Sequence, residues 1–237
     1  MKKIIYKALN FIFRKIKGSE FNLDKGIKLT SMLKLTLYRS VQLVRGFFLS
    51  LSLKKGSSNF IFVENNVHIQ HSDFLKLGSG CQIKYGVRMD CLSKKGVSIG
   101  KGSSIGEYGI LKVTGSISSL GEGIKIGEKS SFDSNVFIGG SGGVVVGNNV
   151  IAGQKVSFHP ENHNFSDPNK PIRSQGTSKK GIVIEDNCWI GSGVIFLDGS
   201  HISKGCVIGA GSVVRGFFEP NSILAGTPAK IVKSTYK

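Results

Sequence analysis

Two histidines, His159 and His163, lie four residues apart in a segment that also contains three of the chain's five prolines. A neutral imidazole is the side chain whose pKa best suits proton removal near pH 7. An alcohol is a poor nucleophile until its proton is taken, so transfer of a group to a hydroxyl requires such a base. Either histidine of the pair is therefore a candidate for general acid–base chemistry.

Three polar side chains accompany the histidines in the same segment. A catalytic imidazole needs an acceptor that orients it, and Glu161, Asp167 or a main-chain carbonyl can serve. Asn162 is of a type that commonly shapes turns beside proline-containing stretches. We expect Glu161, Asn162 and Asp167 to lie at the substrate site.

A period of six organises the residues that must hold these side chains in place. Between residues 184 and 214 every sixth residue is apolar, and a second register of six mostly holds small residues. The apolar register is Ile184, Ile190, Phe196, Ile202, Ile208 and Val214, and the second is Cys188, Val194, Ser200, Cys206 and Ser212. Such a period fits neither an α-helix at about 3.6 residues nor a strand at about 2.0, and it is typical of a β-solenoid.

The six-residue beat begins weakly near Phe60, includes Ile117 among its inward positions, stops at Phe158 and resumes at Ile182. At about 18 residues per three-sided coil, it predicts about seven to eight coils. A long loop inside a regular solenoid is costly to order unless it has a function. We therefore expect the inserted loop, residues 159–181, to carry the chemistry.

The pattern divides the chain into three parts. These are a basic N-terminal helical segment at 1–59, a β-helix domain at 60–217 and a C-terminal strand and tail at 218–237. Within the first part, apolar spacing predicts an amphipathic helix at 1–17 and a second helix at 29–53. The second helix is expected to cover the open end of the solenoid, which would otherwise expose strand edges and apolar cross-section.

Charge is concentrated at the start of the chain. The formal net charge is +17, and residues 1–55 hold 13 Lys or Arg against two acids. A basic amphipathic helix of this kind can lie on an anionic membrane surface, although packing on its own protein is equally open. No cleavable signal pattern and no apolar run of about 20 residues is present, so we expect a cytoplasmic protein, peripheral at the inner membrane face if the helix binds lipid.

Four cysteines are scattered without a CxxC pair. We expect buried free thiols in a reducing compartment, with no part in the chemistry.

Several segments resemble the hexapeptide-repeat acyltransferases, whose fold is a left-handed parallel β-helix. They are Cys188-Trp189-Ile190-Gly191-Ser192, Val207-Ile208-Gly209-Ala210-Gly211-Ser212 and Ala225-Gly226-Thr227-Pro228-Ala229-Lys230. The loop stretch Asn162-His163-Asn164-Phe165-Ser166-Asp167-Pro168 is similar to the histidine loop of sugar and surface-polysaccharide O-acetyltransferases. The resemblance covers residue 60 to the end. It implies a mainly β fold, a left-handed parallel β-helix. The left hand comes from the resemblance, because the period alone does not determine the hand of the coil.

The same resemblance implies an enzyme that moves an acetyl group from acetyl-CoA to a sugar hydroxyl. The sugar would belong to a surface polysaccharide or its lipid-linked precursor. His163 is preferred as base because it matches the Asn-His of the family loop, and His159 is the rival because some relatives have His-Pro at that position. The family also implies a homotrimer, with acetyl-CoA held between neighbouring prisms and no metal.

The implied coenzyme residues lie after the loop. Trp189 corresponds to a tryptophan beside the coenzyme, and Ser192 and Ala210 to positions along the pantetheine arm. Lys230 and Lys233 correspond to cations near the nucleotide phosphates. Relatives often have Thr-Lys where this chain has Arg215-Gly216, so either Arg215 replaces the missing cation one position earlier or the phosphates are held differently.

Other functions remain open at this point. The main alternative is N-acetylation of an amino sugar, and a serine or antibiotic acceptor is a further one. Two alternatives belong to other functional classes. One is a non-catalytic glycan-binding β-solenoid, and the other is a hydratase with three histidines around one metal ion. Nucleic-acid binding would rest on charge alone, since no aromatic-interleaved basic patch or zinc module is present in the solenoid.

Overall fold

The computed structural model describes residues 7, 10–11, 23–24 and 26–234. By its contacts the chain divides into two compact units, Met1–Gln42 and Leu43–Lys237. Helix α1, Leu29–Ser50, confirms the second predicted helix. Apart from residues 7, 10 and 11, which are helical, the amphipathic stretch predicted at 1–17 lies outside the described residues.

Three parallel sheets form the walls of the second unit, and the chain visits each sheet in turn. Sheet 1 contains β1 Phe62–Val63, β4 Gln82–Ile83, β7 Ser104–Ile105, β10 Ser131–Phe132, β13 Ile151–Ala152, β18 Trp189–Ile190, β21 Val207–Ile208, β24 Ser222–Gly226 and the antiparallel β25 Ala229–Ser234. Sheet 2 contains β2 His68–Gln70, β5 Arg88–Asp90, β8 Ile110–Lys112, β11 Phe137–Gly139, β14 Ser157–His159, β19 Ile195–Leu197 and β22 Val213–Val214. Sheet 3 contains β3 Leu75–Leu77, β6 Val97–Ile99, β9 Ile124–Ile126, β12 Val144–Val146, β17 Ile182–Ile184, β20 His201–Ile202 and β23 Phe217–Phe218. This is a parallel β-helix of seven to eight coils, as the period predicts.

The interior is a continuous apolar column. Every member of both registers between residues 184 and 214 is buried, which confirms their inward direction. Phe158 stacks on Phe196, with ring centroids 4.8 Å apart, and meets the edge of Phe132, with centroids 6.2 Å apart. Strands of two or three residues have little stability alone, so this column is what holds the coils together.

The inward direction predicted for Ile117 is wrong. Ile117 is 88% exposed and lies in an outward loop, residues 115–120. The hydroxyl of Thr114 donates to the carbonyl of Leu92 and accepts the amide of Gly121, which joins the two ends of the loop. The six-residue count fails here because the inserted residues are not a multiple of six.

The last turns of α1 belong to the second unit and cover its first coil. Gly46 lies so close to the carbonyl of Ile61 that no Cβ would fit there. Leu49 and Leu53 pack against the buried column. This is the capping role that the sequence predicts for the second helix.

All four cysteines are free and buried, as predicted. Burial raises the pKa of the Cys81 thiol to about 11 and that of Cys91 to about 12. Thiols in this state are poor nucleophiles. Among the described residues, no helix has the length and apolarity that crossing a membrane demands.

Candidate active site

His159 is the last residue of β14, at the carboxyl end of an interior strand of sheet 2. Strand β14 is paired on both sides, to β11 and β19, with His159 opposite Leu197. Its neighbour Phe158 is fully buried in the aromatic stack. The backbone that presents His159 is therefore part of the rigid coil and not of the mobile end of a loop.

The ring of Phe137 lies beside the His159 imidazole, with centroids 5.3 Å apart and planes at 27°. Desolvation by these surroundings lowers the pKa of His159 below its ordinary value. The residue still keeps enough accessible surface to be reached by a substrate. At neutral pH it is consequently a neutral imidazole with a nitrogen available to accept a proton.

His163 lies in the inserted loop, on β15 (Asn162–His163), which pairs antiparallel with β16 (Thr177–Ser178). The two strands form a small ribbon that projects from the coil. Neither the His163 imidazole nor the His159 imidazole has a hydrogen-bond partner within the described part of the chain. The orienting acceptor expected for the base is thus not supplied by Glu161 or Asp167 in this chain.

Both histidines line one cavity of about 580 Å³. Strand ends provide Lys112 and Gly139, and the outward loop 115–120 provides Ser116 and Ser119. The cavity combines two imidazoles with hydroxyl and charged groups, which suits a polar acceptor more than an apolar one.

Asp198 anchors the inserted loop to the coil. Its buried carboxylate accepts the backbone amides of Lys180 and Gly181 at 2.7 and 2.8 Å through Oδ1. Oδ2 accepts the side-chain amide of Asn162 at 3.3 Å. One carboxylate therefore joins the departing and returning ends of the loop, and Asn162 takes part in holding it.

The other two expected substrate residues differ in position. Glu161 lines the cavity and pairs with Lys179, with Oε2 and Nζ 2.9 Å apart. Asp167 does not line it: its carboxylate pairs with Lys170 at 2.9 Å and accepts the amide of Asn169. These exposed contacts lower the pKa of Asp167, with the Lys170 ammonium as the main cause. Asp167 shapes the loop tip at some distance from the histidines.

Trp189 projects from the outer face of sheet 1 and is 59% exposed. It lines a second cavity, of about 310 Å³, with the exposed Ile151 beside it in the sheet. Ser192 and Ala210 lie on adjacent coils at the corner that follows sheet 1, and both are exposed. The direction expected for Trp189 is correct, but these groups are not on the wall of the histidine cavity.

The three cations expected to bind the coenzyme phosphates also lie outside the lining of the histidine cavity. Arg215 follows β22 at the edge of sheet 2, whereas Lys230 and Lys233 lie on β25 beside sheet 1. All three are exposed. A single chain therefore presents the base on sheet 2 and most of the expected coenzyme residues on or just after sheet 1, whereas Arg215 follows a strand of the same sheet as the base.

The cavity and its supports include residues that were not predicted from the sequence, among them Lys112, Phe137, Gly139, Lys179 and Asp198. Counting one coil back from His159 would have found Gly139, because consecutive coils here differ by 20 residues. Lys112 was hidden by the outward loop, which lengthens the next coil to 27 residues.

A match to known repeats decides what kind of solenoid this is. Residues 181–216 match the family described as bacterial transferase hexapeptide (six repeats). This segment consists of bacterial transferase hexapeptide repeats. It corresponds to the coils that follow the inserted loop, from β17 to the end of β22.

Two curated relatives match part of the chain. WbbJ of Escherichia coli (strain K12), provisionally named an O-acetyl transferase of lipopolysaccharide biosynthesis, is 36% identical over 97 residues, which cover 38% of this chain and 50% of WbbJ. Galactoside O-acetyltransferase of Lactococcus lactis is 38% identical over 89 residues, covering 37% of this chain and 42% of that protein. The chain spans about half the length of the curated relatives it matches.

Solved structures extend the likeness to most of the chain. A variant of AntD, an N-acyltransferase from Bacillus cereus, bound to dTDP-4-amino-4,6-dideoxyglucose and coenzyme A, superposes with a TM-score of 0.54 at 17% identity, covering 84% of this chain and 91% of AntD. At that identity the likeness establishes the fold alone. Together with the three parallel sheets, it confirms the predicted left-handed parallel β-helix of hexapeptide repeats.

Proposed function

We propose that this protein transfers an acetyl group from acetyl-CoA to a hydroxyl of a sugar in a surface polysaccharide or its lipid-linked precursor. The observation that carries the proposal is His159, a neutral imidazole held on a rigid strand at the wall of a cavity that also contains hydroxyl and charged side chains. The curated relatives named as O-acetyltransferases support the same class of reaction.

The geometry favours His159 over His163 as the base, which reverses the preference drawn from the family motif. His159 has a depressed pKa and a backbone paired on both sides, whereas His163 lies on a two-stranded ribbon. A base must keep its position to within a fraction of an ångström during proton transfer. His163 then contacts the sugar.

In the proposed reaction the neutral His159 removes the proton of the sugar hydroxyl as its oxygen attacks the thioester carbonyl. A C–O bond forms and the carbonyl electron pair moves onto oxygen, which gives a tetrahedral oxyanion. The oxyanion collapses, the C–S bond breaks, and the imidazolium returns the proton to the thiolate of CoA. The products are the acetyl ester and free CoA, and the buried cysteines take no part.

A homotrimer with acetyl-CoA between neighbouring prisms accounts for the separation of the groups. The coenzyme would lie along Trp189, Ser192 and Ala210 of one chain, with Arg215, Lys230 or Lys233 near its phosphates. The exposed Trp189 and Ile151 form an apolar face that such a contact would cover. Coenzyme A in the AntD complexes is consistent with this co-substrate.

The direct test is release of CoA from acetyl-CoA with a panel of sugars, amino sugars and glycans. We expect His159→Ala to lower kcat by roughly 100- to 10,000-fold, as loss of a general base does. His163→Ala should raise KM for the acceptor more than it lowers kcat. The opposite ranking would make His163 the base. Turnover only with amino sugars would establish N-acetylation, and sugar binding without turnover would establish a binding module.

We also propose that residues 1–17 bring the protein to an anionic membrane surface, where a lipid-linked acceptor would be found. Their lysines and bulky apolar residues support this. Removing residues 1–17 should abolish co-sedimentation with vesicles containing an anionic phospholipid. Vesicles of neutral phospholipid are the control for charge. Unchanged binding of the shortened chain to anionic vesicles would contradict the proposal.

A further inference from the structure

A row of outward positions crosses sheet 2 through the candidate base. Lys112 ends β8, Gly139 ends β11 and His159 ends β14, and the register places Lys112 beside Gly139. One coil further, β11 pairs with β14 in the same register. The strand spacing of about 4.8 Å therefore puts the Cα atoms of Lys112 and His159 roughly 10 Å apart.

Nothing projects from the position between them, because Gly139 has no side chain. A Cβ there would lie 3.1 Å from the carbonyl oxygen of Phe158 and 3.3 Å from the ring of Pro160. Because Gly139 has no side chain, the surface between Lys112 and His159 is unobstructed. Lys112 and His159 line the same cavity above this surface. A ligand lying on it reaches both side chains at once.

The charges of this cavity are unbalanced. Glu161 and Lys179 neutralise each other as an ion pair. Lys112 has no ion-pair partner among the residues that the structure describes. Asp90 follows Lys112 in the row, one coil further from His159, but its carboxylate contacts His71 Nδ1 at 3.0 Å instead. Lys112 is thus a cation without an ion pair in a cavity with two imidazoles, and the nearest carboxylate in the row, Asp90, is turned to His71.

We propose that the acceptor carries a phosphate or a carboxylate that Lys112 binds while the acceptor's hydroxyl lies against His159. The inference rests on the proposed acetyl transfer for the role of His159, but the binding site itself does not. A hexose is short enough to place a charged substituent over Gly139 or Lys112 with another hydroxyl at the base. The acceptor class is therefore an anionic sugar, either a glycosyl phosphate or a uronic acid.

The kinetic arm compares three acceptors of one configuration: the free hexose, its 1-phosphate and the corresponding uronic acid. In Lys112→Gln we expect KM for the charged acceptor to rise roughly tenfold or more, with kcat nearly unchanged and the neutral hexose unaffected. Lys112→Arg should restore most of the lost affinity. Which charged acceptor responds identifies phosphate or carboxylate. Equal changes for neutral and charged acceptors would overturn the proposal.

The matched control is Lys101→Gln, which removes the same charge from an exposed turn that does not line the cavity. It should leave every KM within about twofold of wild type. An effect equal to that of Lys112→Gln would mean that net charge, and not a site, attracts the anion, and would overturn the proposal.

A binding arm separates this inference from the proposed function. Inorganic phosphate and glucuronate are titrated into the full-length protein while the His159 imidazole is followed by NMR. We expect at least one anion to shift the His159 resonances and raise the pKa of His159 in wild type and Lys101→Gln, but not in Lys112→Gln. If neither anion acts through Lys112, the site does not exist. If the anion binds as expected but no sugar is acetylated, the acetyl-transfer proposal fails and the anion site stands.

Discussion

At the residue scale, the proposed function depends on the environment of one imidazole. Phe137 and the cavity walls desolvate His159, and desolvation disfavours the charged ring. The neutral, proton-accepting form therefore persists to lower pH than that of an ordinary histidine, whose pKa is about 6.5.

The pH profile tests this directly. Activity is full above the pKa of the base and is lost as the pH falls through it, so the acid limb of kcat/KM should have its midpoint below about 6.5. Phe137→Ala hydrates the imidazole and should move that limb toward higher pH. Phe165→Ala, which removes a 76% exposed phenyl from the inserted loop, is the control and should leave the limb in place. A limb that Phe137→Ala does not move would exclude His159 as the titrating group.

At the element scale, the inserted loop is tied to the coils by one buried carboxylate. Asp198 accepts two backbone amides and one side-chain amide from the two ends of the loop. A carboxylate that accepts amide protons makes stronger bonds than a neutral group does. The ribbon with His163 therefore keeps its place beside the coil because of Asp198.

Asp198→Asn should loosen the loop without unfolding the coils. The replacement turns one carboxylate oxygen into a donor, which faces the amides of Lys180 and Gly181 or of Asn162 and costs about 1–3 kcal/mol locally. We expect faster hydrogen exchange at Lys180 and Gly181 and a higher KM for the acceptor. Asp167→Asn, at the exposed ion pair with Lys170, should change neither quantity much. Unchanged exchange at Lys180 in Asp198→Asn would contradict the anchoring role.

At the scale of the whole molecule, one chain does not bring the base and the expected coenzyme tryptophan to one surface. His159 ends a strand of sheet 2, whereas Trp189 projects from sheet 1. Two faces of one prism point in different directions, so a shared cleft requires a second copy. The proposed trimer would place sheet 1 of one chain against sheet 2 of its neighbour.

Mixing inactive variants tests that arrangement. His159→Ala and Trp189→Ala should each be nearly inactive as pure proteins. If each cleft takes its histidine and its tryptophan from different copies, a dissociated and reassembled equal mixture should regain about a quarter of wild-type activity, from ring statistics in a cyclic trimer. The control is a mixture of His159→Ala with a chain that carries both His159→Ala and Trp189→Ala, and it should regain no activity. Activity that stays absent in the first mixture would mean that both groups serve the same cleft from one chain.

The sequence determined the repeat and many of its structural consequences. A six-residue apolar period allows only a stacked solenoid, so the buried registers, the coil count, the capping helix and the inert cysteines could all be predicted. It also marked the interrupted stretch with two histidines as the place for chemistry. Ile117 escaped because periodicity does not reveal an insertion that happens to keep an apolar residue in register.

The tertiary structure decided which residues meet. The row Lys112, Gly139 and His159 joins positions 20 and 27 residues apart, and no local pattern records a neighbour one coil away. The preference between the two histidines likewise depended on surroundings that the fold assembles: burial lowers the pKa of His159, which lies beside Phe137, and its strand is paired on both sides. Local sequence specifies the direction of each side chain, but the pKa and charge balance of a cavity depend on groups that only the stacking of coils brings together.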